Sequence, residues 1–205
     1  MGLSIELLAR GIVIAACLSQ LAAGVAVLIR EMAVPRPAPI ERARGPLALV
    51  NYAGIALFIL VGLAVATTEA GALANFAGPL AASLRVLGVL ILWGAASLAA
   101  WGIRTMGRHL VAPAEVRPDT ELITTGPFGF VRHPMYLSVL MLWAGGMLAL
   151  LSWALAVGLV LFVPAFYLRA RAEEELLTRH FGAAYSAYAT RVPMLLPGLA
   201  SRHRR

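Results

Sequence analysis

Residues 134–168 have the sequence PMYLSVLMLWAGGMLALLSWALAVGLVLFVPAFYL, a run of 35 positions without a charged side chain. A single helix of this length would measure about 52 Å at about 1.5 Å per residue, whereas the hydrocarbon core of a bilayer is about 30 Å thick. The pair Gly145-Gly146 and the step Leu151-Ser152 favour an interruption of this run. The stretch therefore predicts a transmembrane hairpin of two shorter helices.

Three more uncharged runs precede this hairpin. Gly11–Ile29 and Ala48–Ala66 have 19 residues each, and Val86–Ile103 lies between Arg85 and Arg104. About 20 apolar residues suffice for one crossing. We interpret the first run as a retained helix because it is too long for the apolar region of a signal peptide. The chain is thus predicted to be an all-α integral membrane protein with about five transmembrane helices.

Composition agrees with a membrane protein and excludes several other classes. Of the 205 residues, 60% are hydrophobic and only 13% are charged, whereas soluble domains have about 25% charged residues. The net charge of +7 comes from 17 arginines, which lie between apolar runs and form no stripe for a nucleic acid. Cys17 is the single cysteine, so no disulfide forms within the chain. The histidines lack metal-ligand spacing, and we predict no metal site.

The arginines also predict the orientation in the membrane. Residues 30–44 and 104–132 contain four arginines each, residues 67–83 contain none, and residues 169–205 contain seven. Cytoplasmic loops carry the excess of basic residues. We therefore expect a multi-pass protein with its N-terminus outside and its C-terminus inside. The absence of lysine is typical of a GC-rich genome, so the expected location is a bacterial inner membrane.

A polar motif comes directly before the hairpin: Gly126-Pro-Phe-Gly-Phe-Val-Arg-His-Pro-Met-Tyr136. Its beginning, Thr125-Gly126-Pro127, has the composition of a turn. Pro134 suits the first helical position, which would place His133 at the cap beside free backbone N–H groups. Such a helix end can hold a carboxylate or a phosphate. Alternatively, Arg132 and His133 anchor the helix at the lipid headgroups.

A second polar cluster follows the hairpin. Arg169 and Glu173 are four residues apart and share one helical face. The simplest interpretation is a surface ion pair worth about 0.3–0.5 kcal/mol. The consecutive residues Glu173–Glu175 are about 100° apart on a helix, so they cannot all face one pocket. We then expect a cytoplasmic amphipathic C-terminal helix with an aromatic edge formed by Phe181, Tyr185 and Tyr188.

The two clusters, their order and the final Arg191-Val-Pro193 closely resemble one family. It is the isoprenylcysteine carboxyl methyltransferase family of integral-membrane enzymes, which is related to the phospholipid methyltransferases. The resemblance covers about residues 106–197 and implies a catalytic part, 104–205, after N-terminal helices in 1–103. It also implies S-adenosylmethionine as cofactor and a lipophilic or lipid substrate in or near the bilayer.

Site residues follow from this resemblance by position. Glu173 would hold the ammonium group of the cofactor and Arg169 the carboxylate of the substrate, so these two are the expected catalytic residues. Thr120 stands where some members have a histidine, and Pro113 where some have a polar contact to the cofactor. Phe128 replaces the usual tyrosine. The implied cofactor-binding residues are Thr120, Glu121, Leu122, Ile123, Phe128, His133, Pro134, Met135, Tyr136 and Glu173.

Chemistry is compatible with this assignment and leaves alternatives. Methyl transfer from a sulfonium to a carboxylate needs alignment and exclusion of water, and neither a metal nor a base. We expect esterification of a carboxylate on an isoprenylcysteine-like substrate. N- or S-methylation of a phospholipid headgroup or a small thiol is the alternative, and an amine would need His133 or Glu174 as base. A non-catalytic membrane protein with the same fold is the third hypothesis.

Overall fold

The computed structural model describes residues 2–33, 41–42, 50–68, 71, 78–107, 115–116 and 120–196. These residues form six α-helices, one 3-10 helix and two strands of two residues each. The strands β1 (Glu41–Arg42) and β2 (Glu115–Val116) pair antiparallel, with Glu41 opposite Val116. The helices are α1 (Gly2–Ala33), α2 (Val50–Thr68), α3 (Pro79–Met106), α4 (Pro134–Leu150), α5 (Trp153–Phe181) and α6 (Ala183–Arg191), with the 3-10 helix at Gly126–Gly129.

The predicted all-α membrane fold is confirmed. Among the described residues, four helices are long enough and contain a sufficiently apolar stretch to cross a membrane: α1, with this stretch at Ile5–Ala22, α2, α3 and α5. The fifth apolar helix, α4, has 17 residues, which corresponds to about 26 Å. It forms the first arm of the hairpin.

The hairpin turns at Leu151-Ser152, one of the two predicted places. Leu151 has a positive φ of 49°, a conformation that costs energy for a residue with a side chain. The hydroxyl of Ser152 accepts a hydrogen bond from the Leu155 N–H at 3.3 Å and so caps the start of α5. It also donates to the Gly71 carbonyl at 3.0 Å. These bonds fix the turn.

Gly145 and Gly146, the other predicted interruption, lie inside α4. A Cβ on Gly145 would lie 2.9 Å from the carbonyl oxygen of Gly88, and a Cβ on Gly146 would lie 2.9 Å from the ring of Phe58. The two glycines therefore serve close helix packing and not a turn. Absence of a side chain lets the backbones of α3 and α4 approach each other, as in other membrane helix pairs.

The contacts divide the chain into two compact units. Unit 1 comprises Met1–Pro35, Tyr52–Ala96 and Val139–Val163, and unit 2 comprises Arg36–Asn51, Ser97–Ser138 and Pro164–Arg205. In unit 1, Trp143 is 1% exposed, and its indole N–H donates to the carbonyl of Gly54 at 3.1 Å. A Cβ on Gly158 would lie only 1.8 Å from the Trp143 ring. The core of unit 1 is therefore built around this indole.

Unit 1 also contains a small charged cluster. Glu6 accepts a hydrogen bond from Arg10 at 2.6 Å and lies 3.5 Å from the guanidinium of Arg85. Arg85 donates to the carbonyl of Ala149 near the end of α4 at 3.1 Å, and Arg10 donates to the carbonyl of Ala66 near the end of α2 at 3.4 Å. Basic side chains at helix C-termini satisfy free carbonyls and oppose the helix dipole.

In unit 2, the predicted C-terminal helix is separate from α5. Gly182 has a φ of 54° and ends α5 after Phe181, because glycine accepts the left-handed region without strain. Tyr185 and Tyr188 on α6 are buried. Phe181 belongs to α5, so the expected aromatic edge is divided between two helices.

Candidate active site

The polar motif before α4 forms a tight turn. Gly126 has a φ of 59°, and a Cβ there would lie 2.6 Å from the hydroxyl of Thr105. Both facts require glycine at this position. The 3-10 helix Gly126–Gly129 follows, with its proline in the first turn. The predicted turn is therefore present and continues as a short helix that leads to α4.

Pro134 begins α4, as predicted. The carbonyl of His133 accepts the first helical hydrogen bond, from the Leu137 N–H at 3.1 Å, so His133 occupies the cap position. The N–H groups of Arg132 and His133 donate to the carbonyls of Pro193 and Met194 at 2.9 and 3.1 Å. The chain after α6 is thus bound along the start of α4.

Arg132 and Glu174 form the central ion pair of unit 2. The Arg132 Nε lies 2.6 Å from Glu174 Oε1, and the two side chains are 4% and 15% exposed. The Nη1 of Arg132 donates to the carbonyls of Ala189 and Val192 near the end of α6. One guanidinium therefore neutralises a carboxylate and satisfies two helix-end carbonyls. This burial rules out the headgroup anchor considered for Arg132.

His133 lies between two carboxylates. Its Nε2 is 3.2 Å from Glu174 Oε1, and its Nδ1 is 3.6 Å from Glu173 Oε2. The ring stacks on Tyr136, with centroids 5.3 Å apart and an angle of 4° between the planes. The phenol of Tyr136 donates to Glu173 Oε2 at 2.6 Å. These contacts orient both carboxylates toward the start of α4.

The glutamates divide as their helical spacing predicts. The side chain of Glu173 is 23% exposed and that of Glu174 is 15% exposed, whereas Glu175 is exposed. The first two therefore face the interior of unit 2. Glu175 points to the surface and provides a natural control for substitutions at Glu173.

Arg169 is buried, with 2% exposure, which excludes the simple surface ion pair with Glu173. It lies beside the phenol of Tyr136. Its Nε and Nη1 atoms have no hydrogen-bond partner among the described residues. A buried charged donor without a partner carries a large desolvation cost. The guanidinium therefore suits an anionic ligand, which it can bind through two parallel hydrogen bonds.

The two tyrosines of α6 differ in their hydrogen bonding. Tyr188 donates to the carbonyl of Phe128 at 2.6 Å, whereas the hydroxyl of Tyr185 has no partner among the described residues. Burial raises the pKa of Tyr188 to about 12 and raises the pKa of Tyr185 further above the ordinary value of a phenol. Both hydroxyls therefore stay protonated near neutral pH and act as donors.

Among the residues expected at the site, the structure brings together His133, Tyr136, Arg169 and Glu173. Met135 follows Pro134 on the first turn of α4. Its sulfur packs against Gly102, and a Cβ on that glycine would lie 2.8 Å from the sulfur. The backbone carbonyl of Phe128 accepts the hydrogen bond from Tyr188. Thr120–Ile123 lie before the 3-10 helix, with Thr120, Leu122 and Ile123 half-buried and Glu121 exposed. Pro113 falls outside the described residues.

Sequence reasoning missed the pairing of Arg132 with Glu174 and the hydrogen-bonding difference between Tyr185 and Tyr188. Arg132 and Glu174 are 42 positions apart, so no helical spacing connects them. The only available signal was their position next to His133 and Glu173. Among the described residues, no group of three or more His, Cys, Asp or Glu side chains is arranged to hold a metal ion.

Part of this chain is similar to a known protein family. Residues 84–184 match the phospholipid methyltransferase family. The matched range contains the cluster from Arg132 to Glu174 and ends just before Tyr185. It fits the broader group of membrane methyltransferases and supports an integral-membrane enzyme of the methyltransferase type.

Two curated relatives are similar over shorter stretches. A nickel-cobalt-cadmium resistance protein of Alcaligenes xylosoxydans xylosoxydans is 38% identical over 88 residues, which are 41% of this chain and 39% of that protein. The delta(14)-sterol reductase of Mus musculus is 32% identical over 123 residues, which are 54% of this chain and 28% of that protein. The chain thus spans less than half the length of either relative.

Proposed function

We propose that this chain is an S-adenosylmethionine-dependent methyltransferase that esterifies a carboxylate on a lipophilic, isoprenylcysteine-like substrate. The strongest support is the burial of Arg169, which is 2% exposed and has two donor atoms without a partner among the described residues. A carboxylate would satisfy both donors and offset the cost of burying the charge. The match of residues 84–184 to the phospholipid methyltransferases supports methyl transfer at a membrane.

The residues around Glu173 fit the proposed cofactor. Glu173 offers a partly buried carboxylate that Tyr136 orients through Oε2, and a carboxylate of this kind suits an ammonium group. The segment Thr120–Ile123, Phe128 and the first turn of α4 from His133 to Tyr136 would provide the remaining contacts. When bound, S-adenosylmethionine supplies an electrophilic methyl group on a sulfonium centre.

The protein contributes alignment and a dry environment. Arg169 would hold the substrate carboxylate through two hydrogen bonds and direct one oxygen toward the methyl donor. Fixing the two reactants in this geometry accelerates the displacement because their relative freedom is already lost on binding. The burial of Arg169 and Tyr136 excludes water from the nucleophile. A carboxylate is already anionic, so no base is needed.

N- or S-methylation of a phospholipid headgroup or a small thiol is the second candidate, and the description of the matched family favours it. A protonated amine would require a base, and His133 and Glu174 are the available groups. Both ring nitrogens of His133 already face carboxylates, and Glu174 is paired with Arg132. These contacts favour a carboxylate as acceptor over an amine.

A non-catalytic membrane protein with this fold is the third candidate. Neither curated relative is named as a methyltransferase, and this observation favours testing a non-catalytic role. Binding of S-adenosylhomocysteine distinguishes it from the two enzymatic candidates. Calorimetry on the purified protein should give a saturable signal if the chain is an enzyme, and no signal if it is not.

We further propose a bacterial inner-membrane location with the N-terminus outside and the site facing the cytoplasm, where the cofactor is made. The arginine-rich segments 104–132 and 169–205 and the arginine-free segment 67–83 support this orientation. A reporter fused after Arg205 should be active only on the cytoplasmic side. Activity on the opposite side would reverse the orientation.

The decisive experiment is methyl transfer from labelled S-adenosylmethionine by the purified protein. Farnesylcysteine and a total lipid extract would be offered separately, and each product would be treated with mild alkali. Label that alkali releases is a methyl ester and supports the proposal. Stable label indicates N- or S-methylation and supports the second candidate, and absence of label with either acceptor contradicts both.

A further inference from the structure

Few buried side-chain atoms of the described residues lack a hydrogen-bond partner. Among the described residues they occur on Asn51, Arg169 and Tyr185. Arg169 and Tyr185 present hydrogen-bond donors, and each is 2% exposed. A buried donor without an acceptor destabilises the ligand-free protein. Such atoms are therefore candidates for contact with a ligand.

Tyr185 has a matched neighbour that lacks this feature. Tyr188 lies one helical turn further along α6, with ring centroids 5.9 Å apart, and its hydroxyl donates to the carbonyl of Phe128. The same residue type on the same short helix is therefore satisfied in one case and unsatisfied in the other. The bond from Tyr188 anchors α6, and Tyr185 has no corresponding structural bond.

Arg132 holds α6 in place and restricts the position of Tyr185. Its guanidinium binds the carbonyls of Ala189 and Val192, and its backbone N–H binds the carbonyl of Pro193. Arg132 and Tyr188 thus both anchor α6, the helix that carries Tyr185.

Tyr185 and Arg169 belong to one cluster of charged and polar side chains in unit 2. Glu174 acts on Tyr185 more strongly than Glu173 does, and Glu174 is paired with Arg132, which also binds the end of α6. His133 connects Glu174 to Glu173, and Glu173 accepts the hydrogen bond of Tyr136, beside which Arg169 lies. Both unsatisfied donors thus belong to the cluster that contains the carboxylates of Glu173 and Glu174. A ligand that carries both a carboxylate and a nearby cationic group complements this cluster. The carboxylate accepts from the donors, and the cationic group pairs with Glu173.

We infer that Tyr185 is a further ligand-binding residue, whose phenolic hydroxyl donates a hydrogen bond to the carboxylate of a ligand bound in this cluster. The inference rests on the proposed function and extends its binding site to α6. The carboxylate has two possible sources, the lipophilic substrate and the amino-acid end of the cofactor. The chemistry that Tyr185 recognises is the same for both.

The test compares Tyr185→Phe with Tyr188→Phe in the full-length purified protein. S-adenosylhomocysteine and N-acetyl-S-farnesylcysteine are the two probes, and calorimetry measures the affinity for each. Thermal unfolding without ligand is measured in parallel. We expect Tyr185→Phe to weaken the binding of one probe by about tenfold or more, since it removes a hydrogen bond to a charged group.

The unfolding temperature separates binding from structure. Tyr185→Phe removes an unsatisfied hydroxyl, so the ligand-free protein should unfold at the same or a higher temperature. Tyr188→Phe leaves the carbonyl of Phe128 without its donor and should lower the unfolding temperature. The probe whose affinity falls in Tyr185→Phe identifies the source of the carboxylate.

Several outcomes would overturn the inference. If the wild-type protein binds a probe, and the Tyr185→Phe variant binds each probe as tightly as the wild type does, the inference alone is wrong and the proposed function stands. If Tyr185→Phe lowers the unfolding temperature as much as Tyr188→Phe, the phenol is structural. If the wild-type protein binds neither probe, both the proposed function and the inference are wrong.

Discussion

The two units of this protein each contain a charged cluster, and the clusters differ in how their arginines are satisfied. In unit 1, Arg10 and Arg85 both contact Glu6, and each also donates to a carbonyl near a helix end. In unit 2, Arg132 is satisfied in the same way by Glu174 and α6. Arg169 is more deeply buried and retains two donors without a partner in the described part of the chain.

This difference separates arginines that stabilise from an arginine that binds. A guanidinium between a carboxylate and helix-end carbonyls contributes to stability, and its removal exposes the cost of the partners left behind. A buried guanidinium without such partners makes the ligand-free protein less stable, and its presence requires another explanation. Four substitutions test this comparison.

Arg132→Met should have the largest effect. The substitution leaves Glu174 buried without its cation, and it removes the donor to the carbonyls of Ala189 and Val192. We expect the free energy of unfolding to fall by about 3–5 kcal/mol, measured by chemical denaturation in detergent. The double variant Arg132→Met/Glu174→Leu should recover part of this loss. A change as small as that of a surface substitution would contradict the structural role.

Arg169→Met should produce the opposite pattern. Methyl transfer to a carboxylate substrate should fall by about 100-fold or more, since one partner of a buried charge pair with the substrate is lost. The unfolding temperature of the ligand-free protein should stay equal or rise, because an apolar side chain replaces a buried charge that forms no salt bridge with a carboxylate of the described residues. Arg171→Met, at an exposed position, is the control and should retain activity. Destabilisation as severe as that of Arg132→Met would make Arg169 a structural residue.

Glu173→Gln should affect cofactor binding with little effect on folding. The amide oxygen can still accept the hydrogen bond from Tyr136, but the negative charge for the ammonium group is lost. The affinity for S-adenosylhomocysteine, measured by calorimetry, should fall by about tenfold or more. Glu175→Gln changes an exposed residue of the same type. Equal affinities in the two variants would remove Glu173 from the site.

Arg85→Met should have the smallest effect. Its contact with Glu6 is 3.5 Å long and partly exposed, and Arg10 still neutralises Glu6 at 2.6 Å. We expect the free energy of unfolding to fall by about 1 kcal/mol or less, with methyl transfer unchanged. A strong loss of methyl transfer would show that the cluster of unit 1 influences catalysis, and the contrast between the two clusters would no longer hold.

Much of the local structure could be predicted from the sequence. An interruption of the uncharged run follows from its length, with Leu151-Ser152 as one of two expected places, and the start of α4 follows from Pro134. The role of Gly145-Gly146 could not be predicted in the same way, because a glycine pair suits both a turn and a close helix contact. Only the neighbours Gly88 and Phe58 distinguish the two.

By itself, the sequence determined the membrane class of this protein, the approximate helices and the residues that resemble a methyltransferase motif. These properties depend on hydropathy and on spacing along the chain, which are local. The tertiary structure decided which charges are satisfied: Arg132 finds Glu174 across 42 positions, whereas Arg169 forms no surface pair with Glu173, four residues away. Whether a charged group is satisfied depends on the groups that surround it in space, and helical spacing alone does not specify them.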